Sequence, residues 1–87
     1  MPFRVREIQP TPNPNAAKFV LDRKVADGTI SFLQAEQAEG HPLAAKLFAI
    51  EGVSGVMLLG DFITVTKSPS ADWKTISMRV KAMLASE

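Results

Sequence analysis

The dipeptide Gly60-Asp61 separates two runs of β-forming residues, 53–59 and 62–67, and it constrains the fold more than any other feature of the sequence. A two-residue connection with glycine where positive φ is needed makes a tight hairpin and fixes its register. Leu59 then stands opposite Phe62, Leu58 opposite Ile63, Met57 opposite Thr64 and Val56 opposite Val65. Pairing sorts the side chains onto two faces. Val56, Leu58, Ile63 and Val65 suit a core, and Met57, Leu59, Phe62, Thr64 and Thr66 occupy the other side.

The remaining elements are read against this hairpin. Residues 3–8 alternate, with Phe3 and Val5 on one side and Arg4 and Arg6 on the other, which is the period of a half-buried strand. Three prolines in Gln9-Pro10-Thr11-Pro12-Asn13-Pro14-Asn15 remove backbone donors and exclude helix, so this stretch is an extended, turning loop. Residues 17–21 form a second strand, with Phe19 and Leu21 inward and Lys18 and Val20 outward. Residues 22–40 read mostly as loop, with a turn at Asp27-Gly28 and room for a short strand at 29–33.

A helix starts at His41-Pro42, because proline suits the first helical position, and Leu43, Ala44, Leu47, Phe48 and Ile50 follow at helical spacing. Gly52 is expected to cap its C-terminus. Ser68-Pro69-Ser70-Ala71-Asp72 offers capping hydroxyls and a first-turn carboxylate before a second helix, whose apolar stripe is Trp73, Ile76, Val80, Met83 and Leu84. The expected architecture is a single α+β domain over residues 1–87. It is a two-layer sandwich, a mainly antiparallel sheet of about four strands with two helices on one face. The other face is left open.

Composition narrows the chemistry. Among 87 residues there is no cysteine, so this chain alone offers no disulfide, no thiolate-ligated cluster and no cysteine nucleophile. Ten Lys and Arg against nine Asp and Glu leave a formal charge of +1, without the basic footprint that binds a phosphate backbone, which disfavours nucleic acid. The start Met1-Pro2-Phe3-Arg4-Val5-Arg6 lacks an apolar signal core, and no stretch approaches the roughly 18 apolar residues of a membrane span. The expectation is a cytoplasmic protein without membrane association.

Three places are candidates for function. On the open face, Met57, Leu59 and Phe62 are expected to lie near Arg4, Arg6 and Lys18, an apolar patch with a basic fringe that suits a protein partner, unless residues 22–40 fold back over it. The Asn13 and Asn15 amides either serve their own backbone, as asparagine at turns commonly does, or face a partner. His41, the only imidazole, reads as a residue leading into the helix rather than a base or metal ligand, since no second His or Cys accompanies it. The acids Asp22, Asp27, Asp61 and Asp72 fall at turns and caps. No nucleophile elbow, Walker loop or dinucleotide fingerprint is present, so no catalytic residue and no metal ligand is assigned.

The blocks Thr11-Pro12-Asn13-Pro14-Asn15-Ala16-Ala17-Lys18-Phe19, Pro42-Leu43-Ala44 with Leu47-Phe48, Ile50-Glu51-Gly52-Val53, Asp61-Phe62-Ile63-Thr64-Val65-Thr66-Lys67 and Asp72-Trp73 occur in this order along nearly the whole chain. Together they resemble the N-terminal domain of Nfu-type (NifU-like) iron-sulfur scaffold proteins. In full-length members of that family a second domain carries the cluster on a Cys-x-x-Cys motif, and the resemblance implies that the N-terminal domain serves targets or partners. It also implies Asn13, Asn15, Lys18, Asp61 and Phe62 as the positions that matter, to which the open face adds Met57 and Leu59. The family commonly has a small hydroxyl residue where this chain has His41.

The resemblance therefore implies a non-catalytic accessory domain in iron-sulfur cluster assembly, docking onto a scaffold or apo-target protein. It would act as a monomer or weak dimer, with any cluster held by the partner. The alternative is a general protein- or peptide-binding regulatory module that keeps the fold without an iron-sulfur role. An enzyme is not expected, because no acid/base pair or activated nucleophile is present.

Overall fold

The structure, a computed structural model, describes residues 3–86; Met1, Pro2 and Glu87, the outermost residues of the expected 1–87 domain, lie outside the described residues. Its strands are β1 (Val5–Pro10), β2 (Ala16–Leu21), β3 (Ile30–Phe32), β4 (Val53–Leu59) and β5 (Phe62–Lys67). The helices are α1 (Pro42–Phe48) and α2 (Trp73–Ala85), with a single 3-10 turn at Ala35–Ala38. The strands form one antiparallel sheet in the order β1-β2-β5-β4-β3.

The hairpin has the expected register, from Leu59 opposite Phe62 to Val56 opposite Val65, and Gly60 takes the positive φ of 59° that its turn needs. Strand β2 adds to it with Phe19 opposite Ile63 and Val20 opposite Phe62. The inward row of Phe19, Leu21, Val56, Leu58, Ile63 and Val65 packs in one buried cluster with Ala44 and Leu47 of α1 and Ile76, Val80 and Leu84 of α2. Both helices therefore lie on the same face, as the apolar stripes require. Met83 and Trp73, at the margins of the α2 stripe, are only half-buried.

Several local features differ from the sequence expectation. The sheet has five strands rather than about four, because Ile30–Phe32, where the sequence left room for a short strand at 29–33, pairs with β4. Three residues are too few to show a period of two. Helix α1 ends at Phe48 with Ala49 as its cap, a turn before Gly52. Gly52, at φ 96°, instead redirects the chain into β4. At α2 the cap is the Asp72 carboxylate itself, whose Oδ2 accepts from the Thr75 backbone N–H at 3.1 Å, and not a serine hydroxyl.

A bulge changes which β1 residues stand opposite the outward row of β2. Val5 stands opposite Leu21 and Glu7 opposite Val20, so one extra residue enters β1 between them. The shift lets Val5 and Ile8, three apart, both pair with inward-facing residues of β2. It also puts Glu7 and Gln9, not an arginine, opposite Val20 and Lys18. Arg4, which precedes the bulge, borders a concavity together with Lys81 of α2.

Candidate partner-docking surface

The helix-free face of the sheet is built by strand parity. Lys18 and Val20 of β2, Phe62 and Thr64 of β5, and Met57 and Leu59 of β4 alternate with the core row, and register places Val20 beside Phe62 and Phe62 beside Leu59. Each of these six is half-buried. The Lys18 Nζ lies 4.1 Å from the centroid of the Phe62 ring, a cation–π contact that holds the ammonium against the patch. The surface is a shallow apolar field with one cation fixed on it. Residues 22–40 do not add a layer of helix over it; they pass the end of the β4–β5 hairpin, where the Gly60 carbonyl accepts from the N–H groups of Val25 at 2.7 Å and Ala26 at 3.2 Å.

Asp61 sits exposed at that same end, its carbonyl accepting from Leu21 N–H at 2.7 Å. The structure thus brings Lys18, Met57, Leu59, Phe62 and, at the rim, Asp61 together. Asn13 and Asn15 lie elsewhere. They precede β2 at the opposite end of the sheet, and the four steps from Ala16 to Val20 span about 13 Å of strand.

The Asn-Pro-Asn loop is locked by its own hydrogen bonds. Asn13 Oδ1 accepts from Asn15 N–H at 2.9 Å, an Asx turn, and the Thr11 hydroxyl donates to the carbonyl oxygens of Asn13 at 2.8 Å and Ala16 at 3.1 Å. Asn15 Oδ1 accepts from the Lys67 ammonium at 3.1 Å, and Trp73 Nε1–H donates to the Pro14 carbonyl at 3.0 Å. Lys67 is 92 % buried, with its Nζ 5.9 Å from the Trp73 ring centroid. The loop is therefore a rigid corner clamped to α2 and β5.

Lys67 and Trp73 do what the sequence reading did not foresee. One signal was available for Lys67, which shares the inward parity of Ile63 and Val65. A lysine that ends a core row needs an acceptor, and Asn15 supplies one. His41 caps α1, its Nδ1 accepting from Ala44 N–H at 3.2 Å, and its ring meets Phe32 edge-on at 5.6 Å. No cluster of three or more metal-ligating side chains occurs among the described residues. No helix among them is long and apolar enough to cross a membrane.

The chain matches the family described as "Scaffold protein Nfu/NifU N terminal" over residues 5–87. It is 36% identical over 86 residues to the Bacillus subtilis protein YpgR, covering 98% of this chain and 23% of that protein. It is 39% identical over 80 residues to the NFU1 iron-sulfur cluster scaffold homolog, mitochondrial, of Drosophila sechellia, covering 90% of this chain and 28% of that protein. It thus spans about a quarter of the length of these relatives.

Among solved structures, a NifU-like protein from Saccharomyces cerevisiae superposes with a TM-score of 0.81 at 25% identity, over 98% of this chain and 77% of that one. Staphylococcus aureus SAV1430 superposes with a TM-score of 0.78 at 25% identity, over 92% of this chain and 96% of that one. The family match runs over nearly the whole chain, and the chain belongs to the Nfu/NifU scaffold-protein N-terminal domain family.

Proposed function

We propose that this domain is a non-catalytic accessory module of iron-sulfur cluster assembly that binds a scaffold, carrier or apo-target protein through the helix-free face of its sheet. The observation that carries the reading is the contiguous field of Val20, Met57, Leu59 and Phe62, with Lys18 held over the Phe62 ring, in a chain of this family. A flat apolar field with one fixed cation suits a protein surface better than a small molecule, which needs a concave pocket. Asp61 at the rim adds a carboxylate that sets orientation.

On this reading the domain has no cofactor of its own, and the cluster is cargo held by the partner's thiolates. It acts as a monomer or weak dimer. A cytoplasmic location is part of the proposal, and the mitochondrial relatives make the organelle the other place to look. The test is a titration of the purified domain into a cluster-loaded scaffold, and separately into an apo-target, with affinity and cluster-transfer rate as readouts. The proposal expects saturable binding that the Leu59→Asp/Phe62→Asp variant loses, and is abandoned if neither binding nor transfer responds.

A further inference from the structure

The helix-free face is not the only surface with unmet valence. Strand β1 is an edge of the sheet, so one row of its backbone donors and acceptors has no strand partner. Just before β1, the chain is tied to the far end of α2, where Phe3 N–H donates to the Leu84 carbonyl at 2.8 Å. Between that point and the Asn-Pro corner, a strand edge and a helix flank open grooves.

Two concavities lie between α2 and the β1 side of the sheet. One, of about 450 Å³, is bordered by Phe3, Arg4 and Val5 on the strand side and Lys81 and Ala85 on the helix. The other, of about 360 Å³, is bordered by Ile8 and Pro14 opposite Trp73 and Ser77. The helix contributes positions 73, 77, 81 and 85, a single stripe spaced by four residues and about 18 Å long. The Ile8 side chain, 37% exposed, and Trp73 make one end apolar, with the Asn-Pro corner as a rigid wall.

The other end is cationic. Arg4 and Lys81 border it together, and α2 carries no acidic residue between Trp73 and Ala85. Among the described residues the carboxylate bordering it is Asp22, which is engaged with its own neighbours, accepting from Arg4 N–H at 3.1 Å and lying 4.0 Å from the Arg23 Nε.

We propose that the β1–α2 groove receives an extended acidic segment of a partner protein, added alongside β1, with a bulky apolar side chain between Ile8 and Trp73 and carboxylates at Arg4 and Lys81. Backbone pairing at an edge gives affinity without sequence, and the two ends of the groove give direction and specificity. This surface is separate from the helix-free face, and the inference holds whether or not the domain works in iron-sulfur assembly.

The experiment selects binders to the purified domain from a phage-displayed library of random dodecapeptides and measures one selected, fluorescein-labelled peptide by anisotropy. Enriched sequences are expected to combine Asp or Glu with one large apolar residue. The Arg4→Glu/Lys81→Glu variant should weaken the peptide about tenfold, with the loss fading at high salt. Ser77→Gln, which narrows the groove on a helix that tolerates glutamine, should weaken it as well. Hydrogen exchange should slow at β1 amides when peptide is bound. The proposal is overturned by an absence of enriched sequences, by peptides that bind both variants as tightly as wild type, or by unchanged β1 exchange. It is equally overturned if charge alone suffices, so that single-stranded oligo(dT) competes as well as the peptide.

Discussion

Replacing Gly52 by alanine tests how α2 is seated. The residue has φ 96°, and a Cβ built there would lie 2.8 Å from Ala71 Cβ and 3.3 Å from Ile76 Cδ1. Left-handed backbone costs an L-residue about 1–2 kcal/mol. A Cβ–Cβ approach of 2.8 Å adds an overpacking cost of about 1–3 kcal/mol, because neither backbone yields as a flexible side chain would. The sum is about 3 kcal/mol, out of the roughly 4–13 kcal/mol expected for a domain of this size.

Urea unfolding followed by circular dichroism should therefore show a midpoint lowered by about 2 M. Melting should fall by roughly 12–24 °C. Gly60→Ala is the control: its φ is 59° but nothing lies within 4 Å, so it should cost only the backbone share, about 1 kcal/mol. Adding Ala71→Gly to Gly52→Ala should recover about 1–2 kcal/mol beyond additivity. Equal losses at Gly52 and Gly60, or a double mutant that is simply additive, would refute the claim that α2's approach to the α1–β4 corner depends on a missing Cβ.

Other outcomes follow from the same contacts. His41→Ala should cost about 1 kcal/mol in thermal unfolding, while His41→Ser, which keeps a side-chain acceptor for Ala44 N–H, should stay within a few tenths. Trp73→Phe keeps the ring beside Phe19 but loses the bond to Pro14, and should lower stability by about 1 kcal/mol and speed exchange of the loop amides. Lys67→Met should destabilise by about 1–3 kcal/mol if the Asn15 Oδ1 is left without its donor, and Asn15→Leu on that background should add less than it does alone. The Lys24 hydrogen bond, then its charge, holds the Asp27 carboxyl below its ordinary range, a shift whose benefit is present above the unfolded carboxyl pKa and lost as pH falls. Because the pair is solvent-exposed and its charges are screened, Asp27→Asn should leave the melting temperature at neutral pH unchanged.

The parts of this molecule that could be read from sequence are those where one short-range rule dominates. Gly60-Asp61 determines its turn, and the turn determines which of Leu58 and Leu59 is buried. Pro42 marks the start of α1, and the α2 stripe places Ile76, Val80 and Leu84 inward. What escaped the reading depends on distant partners. The bulge in β1 exists because Val5 and Ile8 must both meet β2. The site divides in the same way: parity alone assembles Lys18, Met57, Leu59 and Phe62, whereas the burial of Lys67 beside Asn15 joins residues 52 apart. The weight that resemblance gives Asn13 and Asn15 sits on a corner whose visible hydrogen bonds are structural, and which also walls the β1–α2 groove.

The most direct test of the docking account is an amide and methyl chemical-shift map of the isotope-labelled domain, recorded as an unlabelled cluster scaffold or apo-target is titrated in. The account predicts saturable shifts centred on Lys18, Val20, Met57, Leu59, Phe62 and Thr64, with core methyls such as those of Val80 and Leu47 nearly still. Shifts confined to the β1–α2 groove or to the helices, or no shifts at concentrations where transfer proceeds, would contradict it.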